Sequence, residues 1–322
     1  MRALLPLFIA SICWAVSFPV MKAIIAYQTQ VVPQASSWFI SSWCLSLRFL
    51  LAAAILALVL VARRGWRGFT AREGEQALWL GLATGLGMLM QMDGVAYTEA
   101  STSAFITQGY AVFIPLWLAL RWWRAPHVLI YVTLLLVMGG SGILAQLDPA
   151  DLRLGRGEGE TLLAALVFTA QILLVEHPRF VGNNPFRMSA CAFAVTGLLM
   201  LPVALVTAPS MAALGLVYAA VAPLACLAAL TLVCTLGGML LMFAFQARVS
   251  ATVAGITYCS EPVFTSLFVL FLPGLLSGWL GVDYKNEMVT ARLLLGGSMI
   301  TAAVVLIQFV PKSNARNQKT MR

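Results

Sequence analysis

Long apolar runs separated by short polar breaks fill the whole chain. Continuous apolar stretches stand at roughly 4–26, 38–62, 77–97, 101–121, 128–146, 158–176, 187–207, 224–247, 251–272 and 290–310. Each approaches the about 20 residues a helix needs to cross a bilayer, so the pattern predicts ten transmembrane helices. The apolar positions run on without alternating, which excludes a membrane barrel. The stretch 207–247 is longer than one span and is interrupted by Pro209 and Pro223. It reads as a short interfacial helix over 211–222 that leads into the eighth span. The first run starts at Leu4 and is too long for a cleaved signal peptide. The polar breaks are too short for a soluble domain.

Composition narrows the class. Of 322 residues, 61% are hydrophobic and 10% are charged, with a formal charge of +8, against about 25% charged residues in a soluble domain. So few charges cannot cover a soluble surface, which excludes a cytosolic enzyme and a secreted module. The basic residues form no stripe on a polar domain, so no nucleic-acid partner is expected. Cys13, Cys44, Cys191, Cys226, Cys234 and Cys259 all fall in apolar runs with no C-x-x-C pair, and read as buried thiols.

The positions of Lys and Arg set an orientation. With the N-terminus in the cytoplasm, the inner side collects Arg2, Arg63, Arg64, Arg67, Arg72, Arg121, Arg124, Arg179, Arg187, Arg248, Lys312, Arg316, Lys319 and Arg322. The outer side collects Arg153, Arg156, Lys285 and Arg292, and the acidic Asp148, Asp151, Glu158 and Glu160 crowd the loop after span five. The asymmetry predicts both termini inside. Spans one to five then run opposite to spans six to ten, giving an inverted pair of five-helix halves, 1–150 and 151–311, followed by a basic tail, 312–322. Glu99-Ala-Ser-Thr-Ser-Ala-Phe-Ile-Thr opens span four after a short turn, as Arg248-Val-Ser-Ala-Thr-Val-Ala-Gly-Ile opens span nine. Inverted repeats with interrupted helices are typical of secondary transporters.

Particular residues add a family resemblance that covers nearly all of the chain. Span one carries Trp14-Ala-Val-Ser-Phe-Pro-Val-Met-Lys22 and span two Arg48-Phe-Leu-Leu-Ala-Ala. Ala96-Tyr-Thr-Glu-Ala-Ser-Thr-Ser-Ala-Phe-Ile-Thr107 precedes Pro115, and the second half carries Thr235, Gln246, Val249-Ser-Ala-Thr252 and Glu261-Pro-Val-Phe264. In order and spacing these motifs resemble the EamA-type members of the drug/metabolite transporter superfamily. The chain departs from the family pattern at Ala15, at Met242 and at Phe271-Leu-Pro-Gly-Leu-Leu, after which a longer outer loop is expected. The resemblance implies an all-α, ten-helix protein of a bacterial inner membrane. It would move a small metabolite, such as an amino acid or related compound, often outward, by alternating access.

Ionisable residues inside spans are costly and are functional candidates by default. Lys22, Arg48, Asp93 and Glu261 qualify, and their charges sum to zero, so mutual pairing is one reading. In another, Arg48 and Lys22 hold an anionic group of the substrate, and Glu261 takes up and releases a coupling proton. Uncoupled facilitation is the alternative, and a membrane-integral enzyme or receptor is the more distant one. Trp14, Gln91, Gln108, Tyr110, Gln171 and Tyr258 complete the candidate pocket, because polar groups within a bilayer must face the protein interior. Gln246, near the inner end of span eight, reads as structural. Pro19, Pro115, Pro202 and Pro262 are expected to break spans one, four, seven and nine. Gly81-x-x-x-Gly85, Gly139-Gly-Ser-Gly142 and Gly296-Gly297 read as internal packing seams, a homodimer seam being the alternative to a monomer. Trp79, Trp117, Trp122 and Trp123 read as an interfacial belt. No H-E-x-x-H, G-x-S-x-G or P-loop motif occurs, and Asp148-Pro-Ala-Asp151 reads as a solvated turn. The chain is therefore expected to be no enzyme and to need no metal or cofactor. Its expected partners are a small-molecule substrate, the lipid bilayer and, if coupled, protons.

Overall fold

A computed structural model describes residues 4–122, 127–144, 155–288, 290–306 and 309 of the chain. Arg2, Trp123, Arg124, the Asp148–Asp151 turn, Arg153, the boundary at residue 150 and the tail 312–322 lie outside them, as does the side chain of Trp122. Among the described residues the protein is helical and has no strand. In chain order the helices are α1 (Leu4–Ala15), α2 (Ser17–Val31), α3 (Ser37–Ala62), α4 (Ala71–Tyr97), α5 (Ala100–Thr107), α6 (Tyr110–Trp122), α7 (Val128–Leu144) and α8 (Arg156–Val175). They continue with α9 (Pro185–Thr207), α10 (Met211–Leu216), α11 (Val221–Ala229), α12 (Leu240–Phe245), α13 (Ala251–Tyr258), α14 (Glu261–Phe268), α15 (Leu272–Leu280) and α16 (Ala291–Leu306). Between α11 and α12, Leu230–Met239 is π-helical.

Six of these stretches are long and apolar enough to cross a membrane: Leu4–Val31, Ser37–Ala62, Ala100–Arg121, Arg156–Val175, Pro185–Thr207 and Val221–Arg248. The pair Ala251–Phe268 and Leu272–Leu280, bent by 60°, makes up to seven. Val128–Gly140 and Leu294–Leu306 are apolar but shorter. The protein is thus a multi-pass membrane protein. Its surface carries large apolar side chains such as Leu58, Leu135 and Val206, while Arg48, Gln91, Gln171 and Glu261 are buried inside. That inversion of the soluble pattern is what lipid imposes, since polar groups there must find partners within the protein. Trp79 and Trp117 are exposed.

Local chemistry explains where helices start. The Ser36 and Ser250 hydroxyls accept from Phe39 N–H and Val253 N–H, and Asn184 accepts from Phe186 N–H and Arg187 N–H. At Thr70 the hydroxyl accepts from Glu73 N–H while the Glu73 carboxylate accepts from Thr70 N–H, a reciprocal cap.

Packing pairs distant parts of the chain. α3 lies along α9, α4 on α8 and α9, and α7 on α16, while α1 touches the π stretch, α12, α13 and α14. The glycine motifs serve these internal seams. A Cβ on Gly81 would lie 2.7 Å from the Ala192 carbonyl on α9, and one on Gly140 would lie 2.6 Å from the Gly296 carbonyl on α16.

Several expectations need correction. Pro202 lies inside α9, which continues through it; a proline is carried inside a membrane helix where neighbours satisfy the freed carbonyl. Pro115 likewise lies inside α6, and the fourth run breaks earlier, at Gln108–Gly109. The expected long outer loop after the ninth run contains α15, with Pro273 in its first turn, where a missing N–H costs nothing. Arg156 is not a loop residue but the first residue of α8.

Candidate functional site

Three helix breaks and the π stretch meet around one cavity. The first run breaks at Val16 between α1 and α2, the fourth at Gln108–Gly109, and the ninth at Cys259–Ser260, directly before Glu261 and Pro262. The cavity has a volume of about 70 Å³, contracted relative to the roughly 300–1,000 Å³ of ligand pockets. Trp14, Ser17, Arg48, Met88, Gln91, Thr107, Tyr110, Phe168, Gln171, Ile172, Met239, Met242, Tyr258 and Glu261 line it. The Trp14 indole lies directly over Gly238 of the π stretch, a place that only a residue without Cβ leaves open.

Arg48 and Glu261 are the charged groups of this wall. Arg48 is 1% exposed; its Nε donates to Thr235 Oγ1 at 2.6 Å, and its Nη1 is buried with no partner. Thr235 Oγ1 also donates to the Leu230 carbonyl, five residues back, so the π turn holds the hydroxyl that orients the guanidinium. Glu261 Oε2 accepts from Gln108 Nε2 at 3.3 Å, and Gln108 is held in turn by Tyr110 OH, which donates to Gln108 Oε1 at 2.7 Å. Among the described residues neither Arg48 nor Glu261 belongs to an ion pair. A buried charge without a counter-charge is costly. A cavity that keeps one of each sign unpaired is suited to a ligand that supplies both partners.

Of the predicted residues, Trp14, Arg48, Gln91, Tyr110, Gln171, Tyr258 and Glu261 line the cavity, and Gln108 stands behind it. Gln91 Nε2 donates to Thr107 Oγ1 at 3.0 Å. Gln171 Oε1 has no partner. Tyr258 packs edge-on to Trp14 at 5.1 Å, and its OH donates to Gln246 Oε1 at 3.0 Å. Gln246 Nε2 donates to the Ile172 carbonyl at 2.7 Å.

Lys22 and Asp93 lie elsewhere, and the four intramembrane charges do not pair with one another. Lys22 Nζ donates to the Thr98 carbonyl at 2.9 Å and pairs with Glu99 at 3.1 Å. Asp93 pairs with Arg156 at 2.6 Å. Depth along a span was readable, but the direction in which each residue leaves its helix was not. Ser17, Met88, Thr107, Phe168, Ile172, Met239 and Met242 were missed as cavity residues, and Thr235 as the partner of Arg48. Thr235 stood in the sequence only as a motif residue, far along the chain from Arg48, and the apolar residues carry no signal at all.

The opposite end of α4 carries a separate cluster. Glu73, 1% exposed, accepts from Arg187 Nη2 at 2.6 Å, Arg187 Nε at 3.0 Å, Asn184 N–H at 2.8 Å and Thr70 N–H at 3.0 Å. Burial pushes its carboxyl up, but these bonds and the Arg187 charge outweigh burial and hold it below the ordinary range. Close by in sequence to the α8 end, Glu176 accepts from Ala251 N–H at 2.7 Å. Burial pushes Glu176 up to about 7 against that bond.

No family model and no curated protein matches the chain. Among solved structures, one named only as a crystal structure of a protein is similar, with a TM-score of 0.71 and 13% identity over 98% of each chain. At that identity the likeness concerns the fold alone.

Proposed function

We propose that the protein is a secondary transporter of the EamA-type drug/metabolite transporter class, in a bacterial inner membrane with both termini cytoplasmic. In this reading the ten helical runs are ten spans, arranged as two inverted five-helix halves. The packing supports it. Run two lies on run seven and run five on run ten, while run one packs on eight and nine as run six packs on three and four. Adding five to each run number, and carrying past ten back to one, returns the same pairs, as an internal duplication would.

The observation that carries the function is the central cavity with an unpaired guanidinium, Arg48, and an unpaired carboxyl, Glu261, in one wall. Together they suit a zwitterion such as an amino acid. The substrate carboxylate would meet Arg48 Nη1, and its ammonium would meet Glu261. The breaks at Val16, Gln108–Gly109 and Cys259–Ser260 supply the joints at which half-helices rock to expose the cavity to each side in turn. Glu261 exchanges a proton for the substrate ammonium, which links transport to the proton gradient.

Counterflow in proteoliposomes with a panel of labelled amino acids and related metabolites tests the reading. Saturable exchange is expected, lost in Arg48→Gln. Glu261→Gln is expected to weaken the apparent substrate affinity and to remove the pH dependence of the remaining exchange. Conduction without saturation, or wild-type exchange in Arg48→Gln, would sink the proposal.

A further inference from the structure

The seam between α4 and α8, at the Arg156 end, holds two acidic side chains and one arginine away from the central cavity. The backbones touch there. A Cβ on Gly94 would lie 2.8 Å from the Gly157 carbonyl, and one on Gly157 would lie 2.7 Å from the Gly94 carbonyl. The neighbours of these glycines, Asp93 and Arg156, are pressed together with Glu160, one turn along α8. Arg156 Nη2 donates to Asp93 Oδ2 at 2.6 Å, its Nε donates to Glu160 Oε1 at 2.8 Å, and its Nη1 donates to Tyr97 OH at 2.7 Å.

The Nε–Nη2 edge of a guanidinium is a fork that one carboxylate ordinarily fills with both oxygens. Here two carboxyl groups share that edge, one oxygen each, which sets them side by side. Each has one oxygen left over: Asp93 Oδ1 and Glu160 Oε2 are buried and have no partner. The Asp93 side chain is 0% exposed and that of Glu160 is 14% exposed. Two carboxylates side by side repel, and Arg156, the one arginine paired with them among the described residues, leaves one negative charge uncompensated. One proton between them removes the repulsion, balances Arg156 and satisfies the leftover acceptors.

We propose that Asp93 and Glu160 form a proton-binding pair that holds one proton in common at the α4–α8 seam. Among the described residues, the other charged or titratable groups around it are accounted for. Tyr97 is taken by Arg156 and Ser37, Glu158 by Thr98, and Lys22 by Thr98 and Glu99, with Glu287 beside Lys22 and Glu99. The helices α3, α5, α6, α9 and α13, which pack on α4 or α8, bring no charged side chain to this end. Glu160, 14% exposed, and Arg156, 44% exposed, place the pair beside solvent. The site is independent of the transport reading: it concerns what the seam binds, not what the cavity carries.

The test counts protonated carboxyls by infrared difference spectroscopy on the full-length purified protein at neutral pH. Asp93→Asn and Glu160→Gln are each expected to lose one protonated carboxyl, and the double variant also one, because the two side chains hold a single proton. Glu160→Gln, whose amide N–H replaces that proton, is also expected to keep its melting temperature at alkaline pH where wild type loses stability. No loss in either single variant, or an additive loss in the double variant, would overturn the pair. Replacement of the proton by sodium at constant pH would also overturn it, since the seam would then be a metal-cation site.

Discussion

Replacing Glu73 with Ala removes two things at once. The first is the reciprocal cap at the start of α4, worth about 1 kcal/mol. The second is the carboxylate on which Arg187, 14% exposed, is seated by two donors. Breaking a buried pair costs about 3–5 kcal/mol, because the remaining charge is left uncompensated. Arg187 keeps its bond to the Arg67 carbonyl at 2.6 Å and some water, so the lower end applies. Roughly 4 kcal/mol in all is expected. Glu75, two residues along the same helix, is the internal control. Its pair with Arg179 has side-chain exposures of 35% and 62%, and exposed pairs contribute about 0–1 kcal/mol. Thermal unfolding of the purified variants in one detergent should therefore show a large drop for Glu73→Ala and little for Glu75→Ala. Because the Glu73 carboxyl is held below 4.5, its contribution is present above that pH and is lost as pH falls through the folded value. The gap between wild type and Glu73→Ala should close in acid. Equal drops for the two variants, or a gap that widens in acid, would refute the reasoning.

Other perturbations give different signatures. Glu176 has the opposite sign. With its carboxyl raised from 4.5 to about 7, its contribution is complete below 4.5 and is lost as pH rises through about 7. Glu176→Gln should flatten the stability profile across that window, as read by melting temperature against pH. Gly238→Ala places a methyl against the Trp14 indole; overpacking of this kind costs about 1–3 kcal/mol, measurable as a lower melting temperature. Gly159→Ala, on α8 with nothing within 4 Å of the added carbon, should leave it unchanged or raise it.

The apolar runs were legible because helices in lipid need continuous apolar sequence, and each predicted run is mainly helical where described. The break before Glu261 was legible in Pro262. The break at Gln108–Gly109 was not, because the chain turns there several residues before Pro115. The π stretch carries no residue signal: Leu230–Met239 reads as ordinary apolar helix, and packing decides its register. At the site, sequence marked the costly residues Arg48, Asp93 and Glu261 but not their partners. Lys22 and Asp93 stand at similar depth, yet they leave their helices toward different neighbours, and that direction is set by tertiary packing. Arg156 escaped because its own run begins only after it.

The π-helical stretch makes the angular setting of everything after it depend on its length. One residue in a helix corresponds to about 100° of rotation. Met239 and Met242 face the cavity only because the wider turns ahead of them absorb extra chain. Tightening those turns to ordinary α geometry would swing both thioethers away without breaking the helix. Thr235, with its hydrogen bond from Arg48, lies within the same stretch, so the register of these turns also sets the orientation of the guanidinium.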